Sequence, residues 1–322
     1  MDIASQLPAS LRSRLEELIP ADLLEEVWQV LRDRRPTTLR VNTLKISPVA
    51  LVDSFRELGV ILEPVAWNPQ AFVVINTGLL ELTKMLLYKE GYCYVQSLSS
   101  MVPPLVLDPV GGEKILDLTA APGSKTTQMA AMMKNTGEIV ANDISHVRLM
   151  KLKANLKMQN ATNVTVVKSP GQLIWQKYPE FFDKVLVDVP CSMEGRISLT
   201  DPKTYFEWSE KRIKQLSVRQ KYLLRSGISS AKVGGSIVYS TCTLSPEENE
   251  GVIDWILKKE KGVVVLETIE VPGINFSPGL TSWRNNQYES SLSLTRRIMP
   301  SRKMEGFFVA KLKKIKSNVY LS

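Results

Sequence analysis

The sequence predicts an α/β protein: a parallel-rich sheet with helices on both faces, preceded by a small α+β unit. From Gly91 onward, short apolar runs of strand composition alternate with helical patterns, the signature of a sheet built from crossover connections. The chain has 322 residues, longer than a usual single domain, so a length prior of about two domains applies. Residues 36–90 form a separate pattern of strand, helix and strand, read as the small unit, with 1–35 as a helical segment and 91–322 as the large domain.

In order, Leu11, Leu15, Leu18, Leu23, Val27, Val30 and Leu31 recur at helical spacing, broken at Pro20, and predict two short amphipathic helices between Ala9 and Arg34. Thr37 to Lys45 reads as a strand, Pro48 to Leu58 as a helix and Ala71 to Ile75 as a second strand. In the large domain, strands are expected at Lys114–Leu118, Glu138–Asp143, Val164–Lys168, Lys184–Asp188 and Ser236–Thr241, with others near Val263 and Phe307. Helices are expected from Ser124, from Ser145, over Glu207–Ala231 and from Pro246. Residues 270–302 lack periodicity and are rich in Ser, Asn and Arg, so a long loop is expected there.

Composition narrows the chemistry. Three cysteines, Cys93, Cys191 and Cys242, show no CxxC spacing, which argues against a disulfide framework and a zinc site. The one histidine, His146, weighs against Ser-His-Asp and Cys-His hydrolases and most metal-assisted hydrolases, which need a placed imidazole. It reads as a helix-surface residue. A net charge of +8 suits a polyanionic partner, although many basic enzymes bind no nucleic acid. No apolar stretch approaches the ~20 residues that span a bilayer, and no secretory leader is legible, so a cytoplasmic protein with no membrane association and no metal is expected.

Two segments carry the reactive groups: KVLVDVPCS, with Asp188 and Cys191, and SIVYSTCT, with Cys242. Each ends an apolar run, and in open α/β sheets ligands bind beyond the carboxyl ends of strands. A thiolate is a strong nucleophile where its pKa is lowered and it is accessible. Ser245, Pro246 and Glu248 read as the start of a helix after Cys242, which would favour a thiolate there. Cys191 also reads as a buried thiol, and Cys93, within GYCYVQ, as core. A buried carboxyl at Asp188 with a raised pKa could donate a hydrogen bond at neutral pH. DLTAAPGSKTT, from Asp117 to Thr127, follows a strand and opens a helix, but lacks both P-loop and GxGxxG spacing, so ATP and NAD are poorly supported. Its backbone N–H groups still make a ligand cradle, with an ordinary tight turn as the plainer reading. Asp143 ends the next strand, where a carboxylate can hold both hydroxyls of a ribose or cap the following helix.

Together these segments resemble the Sun family of RNA cytosine-5 methyltransferases, the RsmB or NSUN type. The resemblance runs from RVNTLK around Arg40 through YVQS, DLTAAPGSKTT, DVPCS and YSTCTLSPEENE to EGFFVAKL. It implies a class I methyltransferase sheet, mostly parallel and Rossmann-like, with a small N-terminal RNA-recognition domain, and S-adenosylmethionine as cofactor. It also implies a cofactor loop of Thr119, Ala120, Ala121, Pro122, Gly123, Ser124 and Lys125, with Asp143 on the ribose and Asp188 near cofactor and base. Cys242 is then the nucleophile, Cys191 the thiol assisting release, and Lys125 a group reaching the target base. Arg40, Asn42 and Lys45 are carried over as RNA contacts, and the partner as tRNA or rRNA met by a monomer. Where the family places an Asp on the adenine amino group, this chain has Ser169, Pro170 and Gly171, so adenine must be recognised otherwise, as by backbone groups.

The chemistry explains the set. Carbon 5 of cytosine attacks a methyl sulfonium poorly, but addition of a thiolate at carbon 6 turns the ring into an enamine. Stabilisation at N3 is the task assigned to Asp188, and the two sulfurs are expected to lie across one pocket with room between them for a flat ring. The base must leave its stack, which favours single-stranded targets. Two alternatives stand beside this reading: a DNA cytosine-5 methyltransferase, and a non-catalytic RNA-binding scaffold that kept the fold.

Overall fold

The structure, a computed structural model, describes residues 7–319; residues 1–6 of the expected helical segment and 320–322 lie outside them. Two helices open it, α1 (Ala9–Leu18) and α2 (Ala21–Arg32), on either side of Pro20. Their apolar faces, including Leu11, Leu15, Val27 and Leu31, pack against Ile197, Leu199, Leu244 and Trp283 of the large domain.

The small unit is an antiparallel sheet of β1 (Thr38–Val41), β2 (Leu62–Val65), β3 (Asn68–Val74) and β4 (Cys93–Val95), in the order β2-β3-β1-β4. Helix α3 (Pro48–Glu57) starts where Ser47 caps Ala50 and Pro48 fits the first turn. It buries Leu51 and Phe55 against the sheet, with Cys93 fully buried beside them as expected. The fourth strand comes from residues assigned by sequence to the large domain, because Arg40 and Val41 find their second-edge partners at Tyr94 and Cys93. Two single-turn helices, α4 (Leu79–Leu82) and α5 (Leu86–Lys89), fill the connection.

After α6 (Leu98–Leu107) come β5 (Lys114–Asp117), α7 (Ser124–Met132), β6 (Glu138–Asn142), α8 (His146–Gln159) and β7 (Val164–Val167). Then follow α9 (Ile174–Lys177), β8 (Phe182–Asp188), α10 (Glu210–Ser230), β9 (Ala231–Thr241) and α11 (Glu250–Lys259). Strands β7, β6, β5, β8 and β9 pair in parallel in that order. The chain therefore winds one way from β5 and returns to wind the other, and β5 is the switch point where such sheets open a ligand crevice. Their interior is continuous apolar sequence, with Leu116, Val140, Val185, Val187, Ile237 and Tyr239 inaccessible or nearly so, as a sheet covered on both faces requires.

The far half of the sheet is antiparallel. It comprises β10 (Val264–Glu267), β11 (Ser277–Pro278), β14 (Arg296–Ile298) and β15 (Phe307–Lys314), with β12 (Ser282–Trp283) and β13 (Asn286–Gln287) forming a separate hairpin. The expected loop at 270–302 thus contributes two strands, β14 beside β15 and β11 at the edge. Their backbone pairing needs no apolar periodicity, so the sequence pattern was silent. Among the described residues no helix is long and apolar enough to cross a membrane.

Candidate active site

The register of β5, β6, β8 and β9 places Asp117, Asn142, Asp188 and Thr241 along one edge of the sheet, and the loops leaving that edge build a cavity of about 460 Å³. Thr119, Ala121, Pro122, Ser124, Lys125, Asp188 and Cys242 line it, as the sequence led us to expect. Ala120, Gly123, Asp143 and Cys191 stand behind that lining.

Gly123 begins α7 at φ +108°, and a side chain there would meet Leu152 at 2.6 Å, so the loop packs on α8 only with glycine. The Ala121–Pro122 bond is cis. Lys125, on the first turn, is almost fully buried. Its ammonium donates to Asp188 Oδ2 at 2.7 Å and to Ser100 Oγ at 2.8 Å, with the Phe307 ring 5.7 Å away. Asp188 Oδ1 accepts from Ser240 Oγ at 2.7 Å, and its main-chain carbonyl accepts from Thr119 at 2.6 Å. Both oxygens of this carboxylate thus accept, Oδ2 from Lys125 and Oδ1 from Ser240.

The two sulfurs meet. Cys242 Sγ lies 3.3 Å from Cys191 Sγ, with Cys242 partly exposed to the cavity and Cys191 buried behind it. That spacing leaves no room for a ring between them, which corrects the expected arrangement: a base would approach Cys242, with Cys191 on the far side of the nucleophile. The hydrogen bond with Cys242, then burial, holds the Cys191 thiol well above its ordinary range. The geometry of the contact allows a hydrogen bond between the two sulfurs in either direction.

The helix after Cys242 starts at Glu250, not near Pro246. Residues 246–249 form turns, and Glu248 does not cap them. Its carboxylate accepts from Ser192 N at 3.0 Å and Gln220 Nε2 at 2.7 Å, tying down the segment that carries Cys191. Burial pushes Glu248 up to about 7. The helix-start argument for a thiolate at Cys242 is thereby corrected, since seven residues of non-helical chain, 243–249, intervene.

Asp143 is 2% exposed; its Oδ1 accepts from Ser145 N at 2.9 Å and Oδ2 takes no hydrogen bond, facing Arg148 at 3.2 Å instead. Arg148, on the cavity wall, also donates to the Ala121 carbonyl. A buried carboxylate oxygen with an unused acceptor beside a small-residue loop fits a ribose diol. Asn142 donates to the Leu118 and Ser169 carbonyls, fixing the turn at Ser169, Pro170 and Gly171 against β5 and β6.

Sequence reasoning did not assign Arg148, Arg196 or Glu305 to the site. Arg196 pairs with Glu305 at 3.3 Å, and Glu305 also accepts from Ser97 at 3.0 Å. Its guanidinium is held above the ordinary range first by Glu305, with both cysteines acting in the same direction. EGFFVAKL was the signal for Glu305. Nothing marked Arg196, because it follows Cys191 through a turn whose direction only the fold sets.

The three RNA-contact expectations come out differently. Arg40 and Asn42 are buried, which corrects their placement on an RNA surface. Arg40 donates to Gln96 at 3.0 Å and to Thr127 of α7 at 3.1 Å; Asn42 donates to the Gly91 and Gln159 carbonyls at 2.9 and 2.8 Å. The exposed Lys45 donates to the Glu90 and Met158 carbonyls at 2.6 and 2.8 Å. The RVNTLK segment thus joins the small sheet to α7 and to the C-terminal end of α8.

With that geometry in place, family models match on both sides of the joint: the N-terminal domain of 16S rRNA methyltransferase RsmF over residues 7–98, and 16S rRNA methyltransferase RsmB/F over 104–313. The chain belongs to the RsmB/F methyltransferase family. Within it, the chain is 38% identical over 316 residues to a 28S rRNA (cytosine(4447)-C(5))-methyltransferase of Homo sapiens, covering 96% of this chain and 38% of that protein. It is 35% identical to a tRNA (cytosine(49)-C(5))-methyltransferase of Pyrococcus abyssi, covering 98% of this chain and 99% of that one. The chain therefore spans about two fifths of the human relative and nearly all of the archaeal one. The solved NSun6 from Pyrococcus horikoshii with SFG superposes with a TM-score of 0.83 at 25% identity, covering 97% and 99% of the two chains.

Proposed function

We propose that this RsmB/F-family protein transfers a methyl group from S-adenosylmethionine to carbon 5 of a cytidine in tRNA or rRNA through a covalent adduct on Cys242. The observation that carries this is a cavity-facing sulfur with a proton-holding thiol 3.3 Å behind it and a Lys125–Asp188 pair on the same wall. Relatives named as rRNA and tRNA cytosine-C5 methyltransferases support it.

The residues divide the work. Cys242 adds to carbon 6, and carbon 5 gains the electron density it lacks in free cytosine. The Lys125 ammonium supplies a proton that Asp188, hydrogen-bonded to it at 2.7 Å, relays to ring N3 as negative charge develops there. Asp143 and the backbone of residues 119–124 would hold the cofactor, whose chemistry when bound is an electrophilic methyl group. Adenine recognition falls to backbone groups of the turn at residues 169–171. Release then breaks the carbon 5–H and carbon 6–S bonds: the carbon 5 proton passes to water, the double bond between carbons 5 and 6 re-forms, the Cys242 thiolate leaves with its electron pair and accepts a hydrogen bond from the Cys191 S–H, and N3 returns its proton through Asp188 to Lys125. The Arg196 guanidinium faces the same chemistry from the mouth of the cavity. The reading of a monomeric cytoplasmic enzyme, which three unpaired thiols suit, belongs to the same proposal.

Labelled methyl transfer to RNA and DNA oligonucleotides tests it. RNA is expected to be labelled at carbon 5 of cytidine, and DNA not. Cys242→Ala is expected to lose transfer by at least a thousandfold, in the range for removal of a covalent nucleophile, while calorimetry still shows S-adenosylmethionine binding. Cys191→Ala is expected to accumulate an RNA-linked protein band on denaturing gels. Substantial turnover in Cys242→Ala would exclude the nucleophile assignment, and failure of the wild type to bind the cofactor would favour the scaffold reading. Bisulfite sequencing of total RNA with and without the gene then identifies the cytidine.

A further inference from the structure

Arg14 lies on α1 and is 1% exposed, one of the largest fully buried side chains. Its guanidinium faces two distant carboxylates: Nε lies 3.4 Å from Glu194 Oε1, and Nη2 contacts Glu247 and donates to Ser245 Oγ at 2.8 Å. The Trp283 ring covers it at 5.4 Å and donates its own N–H to Glu247 at 3.2 Å. These partners flank the two reactive cysteines: Glu194 follows Cys191 by three residues, and Ser245 follows Cys242 by three.

From Glu194 the bonding runs inward. Glu194 accepts from Trp208 at 2.9 Å and from Thr243 Oγ1 at 3.2 Å. Thr243 has one hydroxyl proton, and with that proton on Glu194 the 2.7 Å contact to Ser192 Oγ must be donated by Ser192. Ser192 and Thr243 are the residues immediately after Cys191 and Cys242, so this hydroxyl pair crosses between the two loops just behind the sulfurs. Gly195 adds a second crossing by donating to the Cys242 carbonyl at 3.1 Å.

We infer that Arg14 is a positioning residue for the methyl-transfer site: its guanidinium bridges Glu194 of the Cys191 loop and Ser245 of the Cys242 loop, which fixes the Thr243–Ser192 hydroxyl pair and so keeps the Cys191 thiol in hydrogen-bond reach of Cys242. Helix α1, packed on the large domain, is then part of the catalytic scaffold. Removing the cation leaves Glu194, whose carboxyl burial already pushes up, without its counter-charge, and leaves Ser245 without its donor, so the bridge between the two loops is lost. The Cys191 loop is freed to move away from Cys242, and the nucleophile loses the donor that stabilises it as a thiolate.

This inference rests on the assignment of Cys242 and Cys191 proposed above, and its test has a readout independent of methyl transfer. The full-length protein and its Arg14→Met and Arg14→Lys variants are compared by single-turnover transfer to RNA and by the pH dependence of Cys242 alkylation with iodoacetamide, followed by mass spectrometry. In Arg14→Met the transfer rate at saturating RNA and cofactor is expected to fall about tenfold or more, with the KM for RNA within about twofold, and the alkylation profile to move up by about one pH unit, as loss of one hydrogen bond to a charged group implies. Arg14→Lys is expected to recover part of both. An unchanged alkylation profile and rate in folded Arg14→Met would overturn the inference, as would a rise in KM alone, which would make Arg14 an RNA-binding residue. Should Arg14→Met not fold, the cycle of Arg14→Lys, Ser192→Ala and the double variant decides: effects on the alkylation profile that merge into one support the chain of contacts, and independent effects refute it. Wild type that alkylates at Cys242 but methylates no RNA would instead count against the proposed function.

Discussion

At the scale of single residues, a buried carboxyl at the end of the first parallel strand couples the site to pH. Asp117, at the end of β5, is 1% exposed and accepts from Thr126 at 2.7 Å; burial pushes its carboxyl up to about 7. The folded protein therefore keeps a proton that the unfolded chain releases near pH 4. Its contribution to stability is fully present below that point and is lost as pH rises through about 7. Asp117→Asn keeps an acceptor for Thr126 and carries no charge to desolvate. It is expected to flatten the fall in stability between about pH 4 and 7, by roughly 2–4 kcal/mol for a shift of this size, read as the difference between wild-type and variant melting temperatures across that range. A parallel pH dependence in both proteins would show that Asp117 is not the group responsible. Cys242, Asp188 and Lys125 were legible because each ends a strand or opens a helix within a motif. Arg148 and Arg196 were not, since a lone arginine on a helix or turn carries no sequence signal until its partners, Asp143 and Glu305, are in place.

At the scale of elements, the two cysteine loops are fitted to each other through backbone as closely as through side chains. Gly195 donates its N–H to the Cys242 carbonyl at 3.1 Å, and its own carbonyl accepts from Gly306 at 2.9 Å. A Cβ added at Gly195 would lie 1.9 Å from the Gly306 carbonyl oxygen. Gly195→Ala must therefore separate the Cys191 loop from the segment before β15, at a cost of about 1–3 kcal/mol for forced overpacking. We expect a lower melting temperature together with a loss of transfer of about tenfold or more, since misplacement by an ångström has that effect; a melting shift with unchanged single-turnover rate would place the strain outside the site. The parallel strands of this region were legible as apolar runs, because burial on both faces demands them. The helix expected at Pro246 was misplaced because Ser245, Pro246 and Glu248 imitate a capping sequence while tertiary partners, Arg14 on Ser245 and Ser192 on Glu248, claim the groups a cap would use.

At the scale of the molecule, RVNTLK is the joint. Asn42 and Lys45 satisfy four main-chain carbonyls, two of them at the C-terminal end of α8, where a cation is also favoured by the helix dipole. Arg40 crosses to α7, beside the cofactor loop, and burial lowers its guanidinium to about 10. Asn42→Ala removes the donor of the Gln159 carbonyl and leaves the Gly91 carbonyl only the longer bond from Gln159 Nε2 at 3.3 Å, so a loss of about 1–3 kcal/mol and a melting temperature lower by a few degrees are expected, with RNA affinity little changed at temperatures where the variant is folded. Weaker RNA binding at unchanged melting temperature would return Asn42 to the RNA surface.

The sequence by itself determined the alternation of elements, the parallel half of the sheet, and the reactive set of Cys242, Cys191, Asp188 and Lys125, because strand ends, turn residues and motif spacing are local properties of the chain. Tertiary structure alone decided that the sulfurs touch with no ring between them, that Asp188 pairs with Lys125, that Arg40 and Asn42 face inward, and that residues 277–298 extend the sheet. Each of these depends on which distant groups share a buried space, and a buried polar group takes whatever partner the fold brings within about 3 Å of it.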